Sequence, residues 1–194
     1  MARAKTNPSK IPSVLSAEEK GCIIYVATRD MTVRVWAAFL GTIIDFPNAT
    51  SDSVLGLADR VKSYGEYLNK EDRKKGISWT IGKLQNFSGL DFHLIDAKVP
   101  NIRTLRDIKK FRAIVDWNAV NIAFATIFEP VFRLRLIDGR ELPKVIHKTY
   151  SICQEIGDGE LTLSDIAWAL RNEFSISMVI ENHHLRLSKI YDDE

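Results

Sequence analysis

Apolar residues recur along most of the chain at three- and four-residue steps, the spacing that builds one face of an α-helix. Val54, Leu57, Val61, Tyr64 and Leu68 form one such stripe, and Leu105, Ile108, Phe111, Val115, Ala119 and Ile122 form another. The second predicts the longest helix, over 102–128, stopped by Glu129-Pro130. Val145, Ile146, Thr149, Ile152, Cys153 and Ile156 line a further helix, with Pro143 as its first residue and Gly157 at its end. Residues 16–46 are apolar on most sides. Ser16-Ala-Glu-Glu19 is a capping-box pattern that starts a helix there. Cys22, Ile23, Ile24, Tyr25 and Val26 leave a strand at 22–27 open, and a second helical piece spans roughly 31–45, before Pro47. Thr50-Ser-Asp-Ser opens the helix of the Val54 stripe, and Lys74-Lys75-Gly76 predicts its C-terminal end. A shorter helix is expected over 77–87.

Strict alternation is rare. Phe132, Leu134 and Leu136 alternate with Arg133 and Arg135 ahead of Asp138-Gly139, which predicts a strand and then a turn. Leu90, Phe92 and Leu94 also alternate, inside an ambiguous stretch over 88–101. Thr162 and Asp165 make a second capping box for a helix to about Phe174. Residues 175–190 read either as a hairpin turning at Asn182-His183 or as a helix with Met178, Val179, Leu185 and Ile190 on one face. The expected fold is mainly α: a multi-helix globular body of six to eight helices with a small antiparallel β element near 131–137 and 175–190. Residues 1–15 read as a flexible basic arm, 16–142 as the helical body and 143–194 as a small C-terminal α/β module packed on it.

The segment Leu161-Thr-Leu-Ser-Asp-Ile-Ala-Trp-Ala-Leu170 resembles the first helix of a helix-turn-helix, with Asp165, Ile166, Ala167 and Leu170 in the acidic, aliphatic, small and leucine places. Arg171 stands where that motif has a glycine, and the turn 171–174 is about two residues longer than usual. With a helix over 176–190, the resemblance implies that Ser177, Asn182, His183, Arg186 and Lys189 face a major groove, where Asn reads adenine and Arg reads guanine or holds phosphate. With a hairpin, the unit is similar to a winged-helix fragment whose wing tip is Asn182-His183-His184.

Composition narrows the class. The chain has 194 residues, 45% of them hydrophobic and 27% charged. This excludes disorder, a collagen-like repeat and a disulfide scaffold, and it is enough chain to bury a full core. Cys22 and Cys153 are far apart and neither belongs to a CxxC pair, so a reducing cytoplasm and small buried thiols are expected. The first residues carry charge without an apolar core, unlike a secretory signal, and 35–46 is too short to span a bilayer. No membrane role is expected.

The net charge of +2 conceals segregation. Residues 1–15 hold Arg3, Lys5 and Lys10 with no acid. Residues 60–83 hold seven cations against three acids, Arg73, Lys74 and Lys75 among them. Residues 98–112 hold six cations against Asp107, including Arg103, Arg106, Lys109 and Lys110, with Arg103, Arg106 and Lys110 on one helix face. Residues 155–173 hold five acids against Arg171. Cationic helix faces of this kind suit phosphate backbones, so the candidate nucleic-acid-binding residues are Arg73, Lys74, Lys75, Arg103, Arg106, Lys109, Lys110, Asn182 and Arg186. One continuous surface over 60–75 and 98–112 would support this reading, and scatter over opposite faces would remove most of its support.

Nothing comparable supports catalysis. His93 lies between Asp91 and Asp96, and His147 stands six residues before Cys153, but neither spacing makes a nucleophile–base pair. His183 and His184 are adjacent and cannot chelate one metal from a strand. No Gly-rich phosphate loop, HExxH, GxSxG or DxD occurs. No catalytic residue, metal or cofactor is expected. Trp36, Trp79, Trp117 and Trp168 sit beside apolar residues on predicted helices and read as core, with Trp117 as a candidate partner surface. The sequence therefore points to a non-enzymatic nucleic-acid-binding protein, of DNA or RNA. The alternative is a protein-interaction or assembly subunit: an adaptor, or a coat-like packing unit of a virus or mobile element, forming a homo-oligomer or meeting a protein partner.

Overall fold

The computed structural model describes residues 14–66, 70–95 and 102–191. Among them six helices and one two-stranded sheet follow in order: α1 (Ala17–Ile44), α2 (Ser51–Glu66), α3 (Lys70–Ser88), α4 (Leu105–Arg133), α5 (Leu142–Asp158), α6 (Leu163–Phe174), β1 (Ile176–Glu181) and β2 (His184–Lys189). The molecule is mainly helical with a small antiparallel sheet.

Local signals start α1, α2 and α6 where the sequence places them, whereas α3 begins at Lys70, ahead of the expected 77. Ser16 and Glu19 exchange both capping-box bonds at the start of α1, and Thr162 and Asp165 do so for α6. Thr50 and Ser53 make the equivalent reciprocal pair ahead of α2. A further box, Thr104 with Asp107, opens α4. Its carboxylate accepts the amides of Arg103 and Thr104, which holds its pKa below the ordinary value.

The core depends on two long helices running parallel. Leu15, Ile23 and Ala27 meet Ile102, Phe111 and Val115 at the start of α4, and Phe39 meets Phe128 edge-to-face at 5.5 Å near the other end. Parallel neighbours need a long connection, and α2, α3 and the segment after them supply it. α5 returns antiparallel to α1: Thr42 and Thr149 share a buried hydroxyl bond of 3.0 Å, and Gly157 lies against Arg34. Phe39, Phe124, Phe128, Leu84, Ile146, Leu170 and Ile176 are fully buried in the main core. α1 has no buried residue before Val33, so its first half and that of α4 share only the small separate cluster around Phe111.

Several expectations are corrected. α1 is one 28-residue helix rather than a strand or two pieces. Lys74, Lys75 and Gly76 lie inside α3, not at the end of the preceding helix. Pro130 does not stop α4, which continues to Arg133. Proline removes one helix bond at a cost of about 3 kcal/mol, but it is buried here between Phe128 and Val131, whose burial offsets the loss. Residues 132–136 therefore form no strand. They are the last turn of α4 and its cap: Leu134 and Leu136 donate to the carbonyls of Pro130 and Val131, and Arg135 takes the left-handed place with φ 49°. Residues 89–95 form no strand either; Phe92 is buried against Phe124 and Tyr150.

Residues 176–189 are a hairpin, not a helix. Asn182 and His183 both have positive φ, the two-residue turn that matches strand twist. Cys22 is exposed, whereas Cys153 is buried and its thiol is pushed up to about 11 by desolvation. The proposed arm lies outside the described residues up to position 13. Val14 already donates to the Ile102 carbonyl at 2.6 Å. Among the described residues no helix is long and apolar enough to cross a membrane.

Candidate functional site

The structure divides the predicted basic residues between three places. Arg106, Lys109 and Lys110, with Arg112, are exposed on the first turns of α4 beside Leu105, which is 78% exposed. None of the four has an ion-pair partner among the described residues, although Lys110 helps lower the pKa of Asp107. Arg103 is drawn inward, and its Nε is buried without a hydrogen bond. Arg73, Lys74 and Lys75 are exposed on the first turns of α3. Gly76 follows them and lies directly against the Glu129 carboxyl of α4. Glu129 is 19 residues beyond Lys110, so at 1.5 Å per residue the two basic groups sit about 28 Å apart along α4. They do not form one continuous patch.

Asn182 and Arg186 are in the third place, the hairpin. Asn182 supplies the turn conformation, and Arg186 pairs with Glu181 at 3.7 Å. The hairpin is tied to the body: His183 meets Asp30 at 2.5 Å, His184 meets Arg29, and Lys189 bonds Asp52 at 3.0 Å.

What the sequence reading missed lies where α3 crosses the end of α4. Lys75, Trp79, Lys83 and Phe87 are spaced by four residues and so share one side of α3. Trp79 reads as core from its apolar sequence neighbours, but it is 36% exposed. The Arg133 guanidinium lies over its ring at 4.0 Å and the Lys83 ammonium at 5.8 Å. Phe132 stands edge-on to Trp79 at 6.1 Å and tilted against Phe87 at 5.5 Å. Between this row and the cap of α4 runs a groove of about 560 Å³ with Phe132 among its linings and Lys83, Arg135 and Asp138 as its charged side chains. Asp138 is held by the turn: one carboxyl oxygen accepts the Arg140 amide at 2.7 Å. The four-residue spacing was the available signal. The alternation of Arg133 and Arg135 with Phe132, Leu134 and Leu136 masks it by imitating a strand.

Behind the groove, Glu129 is only 5% exposed. Desolvation pushes its pKa up, against the opposing pull of Arg133 at 3.9 Å and of the Tyr64 hydroxyl, which donates at 3.4 Å. A second groove, about 550 Å³, lies between the loop after α1 and residues 136–141. Asp52, Asp138 and Glu141 oppose Arg60 there, so its rim disfavours anions.

The remaining tryptophans are not buried core either. Trp168 is 65% exposed on α6. Trp36 packs edge-on to Phe39 from a half-buried position. Trp117 is half-buried, donates to the His93 carbonyl at 2.8 Å and packs on that ring. Among the described residues no three His, Cys, Asp or Glu side chains are grouped to hold a metal. Comparison with protein-family models, with curated proteins and with solved structures finds no match.

Proposed function

We propose that this chain is a non-enzymatic nucleic-acid-binding protein that holds phosphates with the exposed cations of its helices, in a reducing cytoplasm. The observation that carries the reading is the unneutralised charge at the start of α4. Lys144, Lys148 and Lys189 each have an acidic partner, whereas Arg106, Lys109, Lys110 and Arg112 share one exposed end with none among the described residues. Such cations gain by displacing condensed counterions from a phosphate backbone. Lys75 and its neighbours on α3 form a second contact region. The α6–hairpin unit, winged-helix-like in its order of helix and hairpin, adds Asn182 and Arg186 at its rim.

The test is anisotropy with labelled DNA and RNA at several salt concentrations. Reversing Arg106, Lys109 and Lys110 to Glu should lower affinity for all sequences alike and reduce the salt slope by about 2–3. Absence of binding at low salt, or no change on charge reversal, overturns the reading.

The assembly reading keeps one specific support. Ile24, Tyr25 and Val26 are exposed together on the first half of α1, Tyr25 by 57%. Glu18 and Glu19 stand in its first turn, and the occupant that this reading assigns to the face is a second copy of the chain, whose α4 start carries cations. Sedimentation as a monomer at high concentration, unchanged by Tyr25→Glu, removes that reading.

A further inference from the structure

We infer that the groove between α3 and the cap of α4 binds single-stranded nucleic acid, stacking an unpaired base on its aromatic row while its cations hold the flanking phosphates. The inference rests on the nucleic-acid reading above and assigns it a strand type and a place.

Three observations carry it. The groove combines the two elements that single-strand sites need. Trp79, Phe87 and Phe132 offer aromatic surface, with the Arg133 guanidinium already over one Trp79 face, and Lys83 and Arg135 line the groove with positive charge. Its volume of about 560 Å³ lies within the range of small-ligand pockets and suits one nucleotide. Finally, Arg135 occupies the position after a helix cap where glycine is the relaxed residue. An arginine held there with φ 49° keeps a strained backbone in a place where its side chain lines the groove, a combination that marks functional sites. Asp138 is the groove's one acidic lining residue, and its Arg140 contact fixes it in the turn. A duplex presents phosphates on a convex surface and keeps its base faces stacked, so it would leave the aromatic row unused. An acidic peptide would satisfy the cations but likewise gain little from the rings.

The experiment compares a 12-nucleotide oligothymidylate, the matching oligouridylate, a 12-base-pair duplex and polyglutamate as ligands of the full chain. The wild type should bind the single strands more tightly than the duplex, with quenching of tryptophan fluorescence. Trp79→Ala should lower single-strand affinity about 10- to 100-fold and leave duplex affinity within about twofold. Arg135→Gly guards against misfolding as an explanation: it should raise the melting temperature while weakening single-strand binding several-fold. A folded Trp79→Ala protein with unchanged single-strand affinity overturns the inference, as does an equal loss on strand and duplex or equal competition by polyglutamate. In those cases the broader reading still stands if reversal of Arg106, Lys109 and Lys110 weakens binding. If the wild type binds no nucleic acid, both fall.

Discussion

A methyl group at Gly76 would fall 2.2 Å from Oε1 of Glu129 and 2.4 Å from its carboxyl carbon. Alanine in mid-helix ordinarily stabilises by about 0.5–1 kcal/mol relative to glycine. Here it would drive a buried carboxylate away from Tyr64 and Arg133, so Gly76→Ala should lower stability by about 1 kcal/mol in urea unfolding. The sign should reverse in a Glu129→Ala background, where the methyl meets no carboxyl. A stabilising Gly76→Ala in the wild type would refute the arrangement. Glu129 itself carries a pH signature. Its pKa is raised by burial, so the folded state binds the proton more tightly than the unfolded state. The stability this contributes is fully present below the ordinary value of 4.5 and is lost as pH rises through the shifted value. Glu129→Gln keeps the neutral form at every pH. It should match the wild type near pH 4 and exceed it at pH 7.5, and equal stability at both pH values would contradict the burial argument.

At the scale of elements, the sequence was legible where a local rule acts alone. The reciprocal bonds of Ser16 with Glu19 and of Thr162 with Asp165 need only four residues, and both helices start there. The inner face of α5 from Val145 to Cys153 is set by periodicity and is buried as expected. Legibility failed where distant packing overrode a local preference. Pro130 reads as a stop, and the residues beyond it favour continuing the helix: Val131 is buried and Phe132 packs on Trp79 and Phe87 of α3. With a stop at Pro130, Arg133 and Arg135 fall on an alternating segment, and the groove they border leaves no mark in the pattern. Caps also retain strain that can be measured. Ser175 ends α6 with φ 52° and is exposed. Ser175→Gly should stabilise by about 0.5–1 kcal/mol, raising the melting temperature by about 2 °C. It should not affect nucleic-acid binding, in contrast to the same change at Arg135. An unchanged or lowered melting temperature would show that the left-handed serine costs nothing.

For the whole molecule, the decisive property is the separation of its cations, which no count along the sequence supplies. Phe132, in the Trp79 groove, is 22 residues beyond Lys110 and so about 33 Å from it along α4, and one ligand engages both only if it is long enough. At about 3.4 Å per stacked nucleotide, a strand needs roughly ten nucleotides to cover that distance. Affinity should therefore rise in a step as oligothymidylate length passes from 6 to 12, beyond the gradual gain from additional binding registers. Reversing Arg106, Lys109 and Lys110 to Glu should remove the step and leave the affinity of a 4-mer almost unaltered, because the short strand occupies the groove alone. Trp79→Ala should do the converse, weakening the 4-mer most. The step should also carry the larger share of the salt dependence, since the start of α4 offers charge without rings whereas the groove offers both. A smooth length dependence in both variants would mean that the two basic regions never act on the same strand. The start of α4 would then be left to another anionic surface, for which the acidic first turn of α1 in a second copy is the candidate already present in the chain.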